Sequence, residues 1–159
     1  MPFLSPVHDL KIVLMQPQIA PNTGNIARLC VATGTSLHLV RPMGFVLSDH
    51  YLKRSAMDYW DRLKLTIHDD TASFFISTEP SKLCFFSSKA SRGIWQTRFE
   101  PGEYLVFGNE TRGLGESILD AYSDRLIRIP QVEGERCLNL STAAGIALYE
   151  AIRQVVTAK

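Results

Sequence analysis

Arginine, carboxylate and amide side chains stand beside glycines in three short segments of this chain. In residues 21–28 (PNTGNIAR), Asn22, Thr23 and Gly24 predict a turn that opens a helix, with Arg28 about one turn in. Backbone N–H groups at a helix start attract anions, and a guanidinium can hold a phosphate through two parallel hydrogen bonds. In residues 105–115 (LVFGNETRGLG), an apolar run meets Gly108 and then Asn109, Glu110, Thr111, Arg112, Gly113 and Gly115. Glycines at the end of a strand let backbone approach a ligand closely. In residues 126–151 (LIRIPQVEGERCLNLSTAAGIALYEA), a short strand stops at Pro130, crosses a polar loop and enters a helix headed by Asn139, Ser141 and Thr142. A strand end feeding a helix start leaves free N–H and C=O groups in one place, which is where open α/β sheets bind ligands.

Each segment alone has a plainer explanation: a capped helix with a surface arginine, a tight turn, a helix cap followed by close-packing small residues. The second is not a phosphate loop of the Walker type, because no Lys-Ser/Thr follows Gly113. It is not a dinucleotide fingerprint either, because Ile118 stands where the third glycine belongs. Together the three offer Arg28, Arg112, the Glu110 carboxylate and several glycine-bearing strand ends, the outline of a site for an anionic or nucleotide-like ligand.

The elements that must position these groups alternate. Apolar runs at 10–15, 37–40, 63–68, 83–87, 104–107 and 125–129 predict strands. Helices are predicted at 25–33, 48–57 with Ser48 or Asp49 as N-cap, 70–78, 117–121 and 140–156. Residues 16–24 read as a loop by Pro17, Pro21, Asn22 and Gly24, and Gly34 closes the helix that follows. This alternation predicts an α/β domain with a mostly parallel sheet and helices on both faces. The last helix is apolar on more than one face, with Leu140, Ala144, Ala147, Ala151 and Val155 on one and Ile146, Tyr149 and Ile152 near another. It packs either wholly in its own core or partly against a second chain.

Composition narrows the classes. The chain has 159 residues, enough for one domain with a real core, and we expect one domain over residues 1–159. A formal net charge of +1 requires any nucleic-acid partner to be held by a local patch. Cys30, Cys84 and Cys137 are odd in number with no paired spacing, which fits a reducing cytoplasm. His8, His38, His50 and His68 are scattered, so no metal is expected. No signal peptide or membrane-length apolar run is expected either.

PNTGNIARLC, GNETRGLG and IPQVEGERCLNLS with its closing helix resemble, in this order, the SPOUT superfamily, SpoU branch. They are most similar to its TrmL (YibK-like) tRNA ribose 2′-O-methyltransferases, over residues 11–155. The resemblance implies an α/β fold whose C-terminal segment forms a trefoil knot around S-adenosylmethionine. It implies a homodimer through the first and last helices and no additional RNA-binding domain. It further implies a cytoplasmic enzyme that methylates the 2′-OH of the wobble nucleotide, cytidine or uridine 34, in the anticodon stem-loop of leucine tRNAs.

By position in the motifs, Phe86, Ser87, Gly108, Asn109, Gly113, Ile129, Gln131, Cys137 and Leu138 would bind the cofactor. Arg28, Glu110, Asn139 and Ser141 would serve catalysis. Arg28 is better suited to holding a phosphate or the 2′-oxygen than to acting as a base, because guanidinium stays protonated. Glu110 would orient Arg28 or the ribose, and Asn139 and Ser141 would hold ribose or cofactor. The chain departs from the family at Cys137, usually Ser, and at Gln131, often Met; loss of a hydroxyl contact at 137 would cost about 1 kcal/mol. Arg41, Lys53, Arg54, Lys89, Arg92, Arg98 and Arg112, with Tyr51, Tyr59, Trp60 and Trp95, are the candidates for RNA contact. A non-catalytic RNA- or nucleotide-binding domain of the same fold is the alternative; it would be expected to have lost Arg28, Glu110 or Asn139, and all three are present. A nicotinamide-dependent dehydrogenase fails on the missing third glycine and on the absence of an acidic ribose partner in the expected place.

Overall fold

The computed structural model describes residues 8–48 and 58–157. Six strands, all paired in parallel, form one sheet in the order β3-β2-β1-β5-β4-β6. They are β1 (Lys11–Met15), β2 (Ser36–Val40), β3 (Leu65–His68), β4 (Leu83–Phe86), β5 (Tyr104–Phe107) and β6 (Leu126–Ile127). Parallel strands buried on both faces read as unbroken apolar runs, which is why LKIVLM, LCFF and YLVF were legible. β6 is shorter than the predicted run: Ser123–Arg125 forms a 3-10 turn, and Arg128 pairs only with Gly93 in an isolated bridge.

Four helices among the described residues cover the sheet: α1 (Ala20–Thr33), α2 (Thr71–Ser77), α3 (Glu116–Ala121) and α4 (Leu140–Thr157). Ile12, Leu14, Leu39, Leu105 and Phe107 point to one face, where Ile26, Ala27 and Cys30 of α1 and Ala144, Leu148 and Ala151 of α4 cover them. Val13, Met15, Val40, Phe85 and Val106 point to the other, against Phe74 of α2 and Ile118 of α3. Each such fully buried aliphatic or aromatic side chain contributes about 1.5–3 kcal/mol.

The helix α1 starts five residues before the predicted 25. Pro21 lies in its first turn, where the missing N–H costs nothing, and Asn22, Thr23 and Gly24 are buried inside it rather than in a turn. Its C-terminus is as read, with Gly34 left-handed at φ 73°. Asp70 caps α2, accepting from the Ser73 N–H at 2.7 Å. The predicted helix at 48–57 falls almost wholly outside the described residues, as do His50, Tyr51, Lys53 and Arg54. No helix among the described residues is long and apolar enough to cross a membrane.

The connections from β1 and β5, which are neighbours, leave the sheet in opposite directions. A parallel sheet opens a crevice at such a point, beyond the carboxyl ends of its strands.

Candidate active site

A cleft of about 560 Å³ occupies that crevice, a volume suited to a nucleoside-sized ligand. Its walls come from the loops after β4, β5 and β6 and from the starts of α1 and α4. Phe86, Ser87, Gly108, Asn109, Gly113, Ile129, Gln131, Cys137 and Leu138, the expected cofactor residues, all line it. So do Glu110 and Asn139; Arg28 and Ser141 do not.

The loop after β5 is shaped by its own side chains. Asn109 Oδ1 accepts from the Thr111 N–H (3.0 Å), the Thr111 hydroxyl (3.2 Å) and the Arg112 N–H (2.7 Å). Asn109 and Gly113 exchange backbone hydrogen bonds of 3.2 and 3.0 Å, which folds the loop back on itself. A Cβ at Gly108 would lie 2.0 Å from the Gly113 carbonyl carbon, so no larger residue fits there while the loop keeps this shape. Gly113 and Gly115 have φ of 65° and 83°, a region that favours glycine. Asn109 therefore acts as a loop former, its side-chain oxygen committed inside the loop.

Glu110 reaches across to α1. Its carboxylate accepts from the Gln18 N–H (2.8 Å), the Ile19 N–H (3.1 Å) and Asn22 Nδ2 (3.3 Å). A carboxylate at the positive end of a helix satisfies donors that have no partner within it. Asn22 Oδ1 in turn accepts from Asn139 Nδ2 at 3.0 Å. Asn139 then caps α4, its Oδ1 accepting from the Ser141 N–H (2.9 Å) and hydroxyl (2.7 Å). The three sequence segments thus meet in one polar chain, Glu110 to Asn22 to Asn139 to Ser141. Ser141 lies inside α4 and spends its hydroxyl on the cap. Asn22, which joins the segments, was not among the predicted site residues: its place in a Pro-Asn-Thr-Gly string reads as a turn residue, and nothing in spacing distinguishes a junction from a turn.

Arg28 stands on the exposed side of α1. Its charge acts on Tyr59, whose phenol pKa is raised by burial and drawn back by the Arg28 charge. Glu110 bonds α1's start, not Arg28. Gln131 Nε2 donates to the Arg136 carbonyl at 2.6 Å and closes the loop that carries Cys137 past the cleft. Cys137 is exposed, whereas Cys30 and Cys84 are buried and pushed up to about 12, Cys30 by burial and Cys84 by burial and then by Glu103.

Of the basic candidates, Lys89 and Arg112 line the cleft, with Lys89 3.5 Å from Glu116. Arg41 pairs with Asp69 and Arg98 with Glu100. Tyr59 and Trp60 pack against the core, and the Tyr59 hydroxyl donates to the Gly24 carbonyl; Trp95 is exposed. Among the described residues no group of three or more His, Cys, Asp or Glu side chains could hold a metal ion.

The cleft's chemistry is mixed. Phe86, Phe107, Leu114, Leu119, Ile129 and Leu138 make apolar walls that suit a flat base, and Lys89, Glu110, Arg112 and Glu116 place both charge signs at its edge. Those residues fit an adenosine carrying a charged amino-acid tail.

Residues 9–149 match the family model described as the SpoU rRNA Methylase family. A tRNA (cytidine(34)-2'-O)-methyltransferase of Escherichia coli (strain K12) is 44% identical over 147 residues, 92% of this chain and 94% of its own length. A protein of the same name from Burkholderia pseudomallei (strain 1106a) is 38% identical over 146 residues, 90% and 94% of the two chains. A solved structure described as concerning 2-OH methylation of C/U34 on tRNA superposes with a TM-score of 0.89 at 42% identity, covering 98% of this chain and 100% of its own. The SpoU methyltransferase AviRb of Streptomyces viridochromogenes, solved with AdoMet, shares the fold at a TM-score of 0.83 and 23% identity, covering 94% of this chain and 59% of its own.

Proposed function

The chain belongs to the SpoU rRNA methylase family, and we propose that it is a tRNA ribose 2′-O-methyltransferase acting on cytidine or uridine 34 with S-adenosylmethionine as methyl donor. One observation carries the reading: all nine residues expected at the cofactor line a single cleft, tied into shape by the chain from Glu110 to Ser141. Leucine tRNAs, recognised through the anticodon stem-loop, are the proposed substrates.

When bound in the cleft, S-adenosylmethionine supplies an electrophilic methyl group. The protein's share is to place a ribose hydroxyl in line with it, and orientation of this kind supplies much of the rate. The apolar walls exclude water from the cofactor side. Glu110, Asn22 and Asn139 fix the loop after β5 and the starts of α1 and α4 relative to one another, so they act as positioning residues. Arg28 is proposed to hold a substrate phosphate or stabilise the developing 2′-oxyanion.

Arg28 stands away from the cleft of its own protomer, which makes a homodimer part of the proposal. A dimer through α1 and α4 would bring the Arg28 face against a second copy. Ile146 and Tyr149, apolar and exposed on α4, support that face. The family's trefoil knot belongs to the same reading. In support, Arg128 N–H donates to the Arg92 carbonyl and Ile94 N–H to the Arg128 carbonyl, holding the chain after β6 against the loop after β4. We further propose that residues 1–159 work as one domain in a reducing cytoplasm, which the three free cysteines support.

The test is transfer of labelled methyl from S-adenosylmethionine to unfractionated tRNA, followed by nuclease mapping. The label is expected on the ribose of nucleotide 34 of leucine tRNAs, and label elsewhere or nowhere would reject the reading. Arg28→Ala is expected to fold normally and lose turnover; near-normal transfer would remove Arg28 from the mechanism.

A further inference from the structure

Residues 93–98, in the connection from β4 to β5, carry a feature the cofactor cleft does not use. Trp95 is 78% exposed there, in the 3-10 turn Ile94–Gln96. The backbone beneath it is held from four directions. Ile94 is buried in the core. Its N–H donates to the Arg128 carbonyl at 2.8 Å. Gly93 N–H donates to Gln96 Oε1 at 2.9 Å, and the Thr97 hydroxyl donates to the Gly93 carbonyl at 3.0 Å. From α4, Gln154 Nε2 donates to the Thr97 carbonyl at 3.0 Å while its Oε1 accepts from the Phe99 N–H at 2.9 Å. A large aromatic ring left in water on a firmly held turn forgoes its burial energy, which calls for a ligand.

The surroundings of Trp95 say which. Arg92 and Arg128, joined through their backbones, flank the turn, are exposed and have no acidic partner among the described residues. Arg98 is 86% exposed and its contact to Glu100 is a long 3.6 Å. The turn also adjoins the cleft. An atom built at the Gly93 Cβ position would lie 4.0 Å from the Pro130 ring, and Pro130 sits between Ile129 and Gln131 of the cleft wall. An exposed aromatic ring on a held turn, with Arg92, Arg98 and Arg128 on the adjoining backbone, matches unpaired nucleotides, whose bases stack and whose phosphates pair with arginine. A second copy of this chain fits less well, since a two-fold contact through this face would set its arginines against the same arginines of the partner.

We propose that Trp95 is a stacking platform for an unpaired nucleotide of the RNA, next to the one being methylated, with Arg92, Arg98 and Arg128 holding its phosphates. This rests on the reading of the protein as a tRNA methyltransferase. Trp60 is the other tryptophan, so Trp60→Phe leaves Trp95 as the sole indole fluorophore. Adding an anticodon stem-loop RNA to that protein is expected to quench its emission. Trp95→Ala is expected to raise KM for tRNA about fivefold or more, with kcat and S-adenosylhomocysteine affinity unchanged, and Trp95→Tyr to restore most of the loss. Arg92→Ala is expected to lower the slope of log affinity against log salt by about one.

A KM within twofold of the parent together with unquenched emission would overturn the platform. So would a change in self-association of Trp95→Ala at unchanged KM, which would give this face to a second copy. Failure of the functional reading looks different: the parent protein then transfers no methyl to tRNA, and the fluorescence titration still decides whether Trp95 meets RNA.

Discussion

Polar side chains form hydrogen-bonded groups on both sides of β1, and the two groups behave differently. Toward one sheet edge, His38 of β2 and His68 of β3 share a hydrogen bond of 2.9 Å and stack at 5.2 Å between ring centres. Phe74 and Tyr104 pack edge-on around them. The imidazoles satisfy one another, and nothing there shapes a loop. Toward β5, Glu110, Asn22 and Asn139 also satisfy one another, but they spend their remaining capacity on the backbone N–H groups of Gln18, Ile19 and Ser141. That group sets where two helices begin, and the space between them is the cleft. A polar group builds a site when its partners are helix starts, and only builds core when its partners are other side chains.

The largest effect that would break this contrast is at Gly108. Gly108→Ala puts a methyl group into the Gly113 backbone and displaces the loop that forms one cleft wall. Methyl transfer is expected to fall about 100-fold, because ångström-scale misplacement near reacting groups costs that much. The sheet should survive, as read by circular dichroism, while calorimetric binding of S-adenosylhomocysteine is lost.

Glu110→Ala comes next. Two backbone donors and the Asn22 amide lose their acceptor, for a stability loss of about 1–3 kcal/mol in denaturant unfolding. Asn22→Ala and Asn139→Ala should combine non-additively with it, since all three belong to one network. Additive losses would mean that the chain from Glu110 to Asn139 is not a unit.

The histidine pair gives a smaller effect confined to stability. Burial, then the neighbouring His68 and Lys11 charges, push His38 down to about 4, and burial lowers His68 as well. A histidine with a depressed folded pKa binds its proton more readily unfolded. Its stabilising contribution is therefore complete above the unfolded value of about 6.5 and is lost as pH falls from there toward 4. His38 contributes at most roughly 3 kcal/mol to that loss. Thermal unfolding across pH 7.5 to 4.5 should show it. Replacing both histidines with leucine should flatten the curve and leave methyl transfer at pH 8 within about twofold, as expected for sites that share no partner.

The same contrast explains what was legible in the sequence. Strands read well because each is an apolar run closed on both faces. The start of α1 did not, because Pro21, Asn22 and Gly24 are turn formers by type and become helix residues only when Glu110, almost ninety positions away in sequence, receives the helix N-terminus. The nine cofactor positions came from resemblance, and the cleft gathers them because all lie on loops or at strand ends on one side of the sheet. Arg28 illustrates the opposite case. Its motif placed it with the site, yet its helix turns it outward, and one chain's sequence says nothing about what a second chain brings.

Cys137 tests the cleft as the cofactor site most directly. It is exposed and lines the cleft, whereas Cys30 and Cys84 are buried with thiols pushed up to about 12 and so stay protonated near neutral pH. Alkylation with iodoacetamide, read residue by residue by mass spectrometry, should modify Cys137 first. Saturating S-adenosylhomocysteine should protect it strongly and leave the slow labelling of Cys30 and Cys84 as it was. An unchanged rate at Cys137 under saturating ligand would contradict the account, because the ligand would then be binding elsewhere.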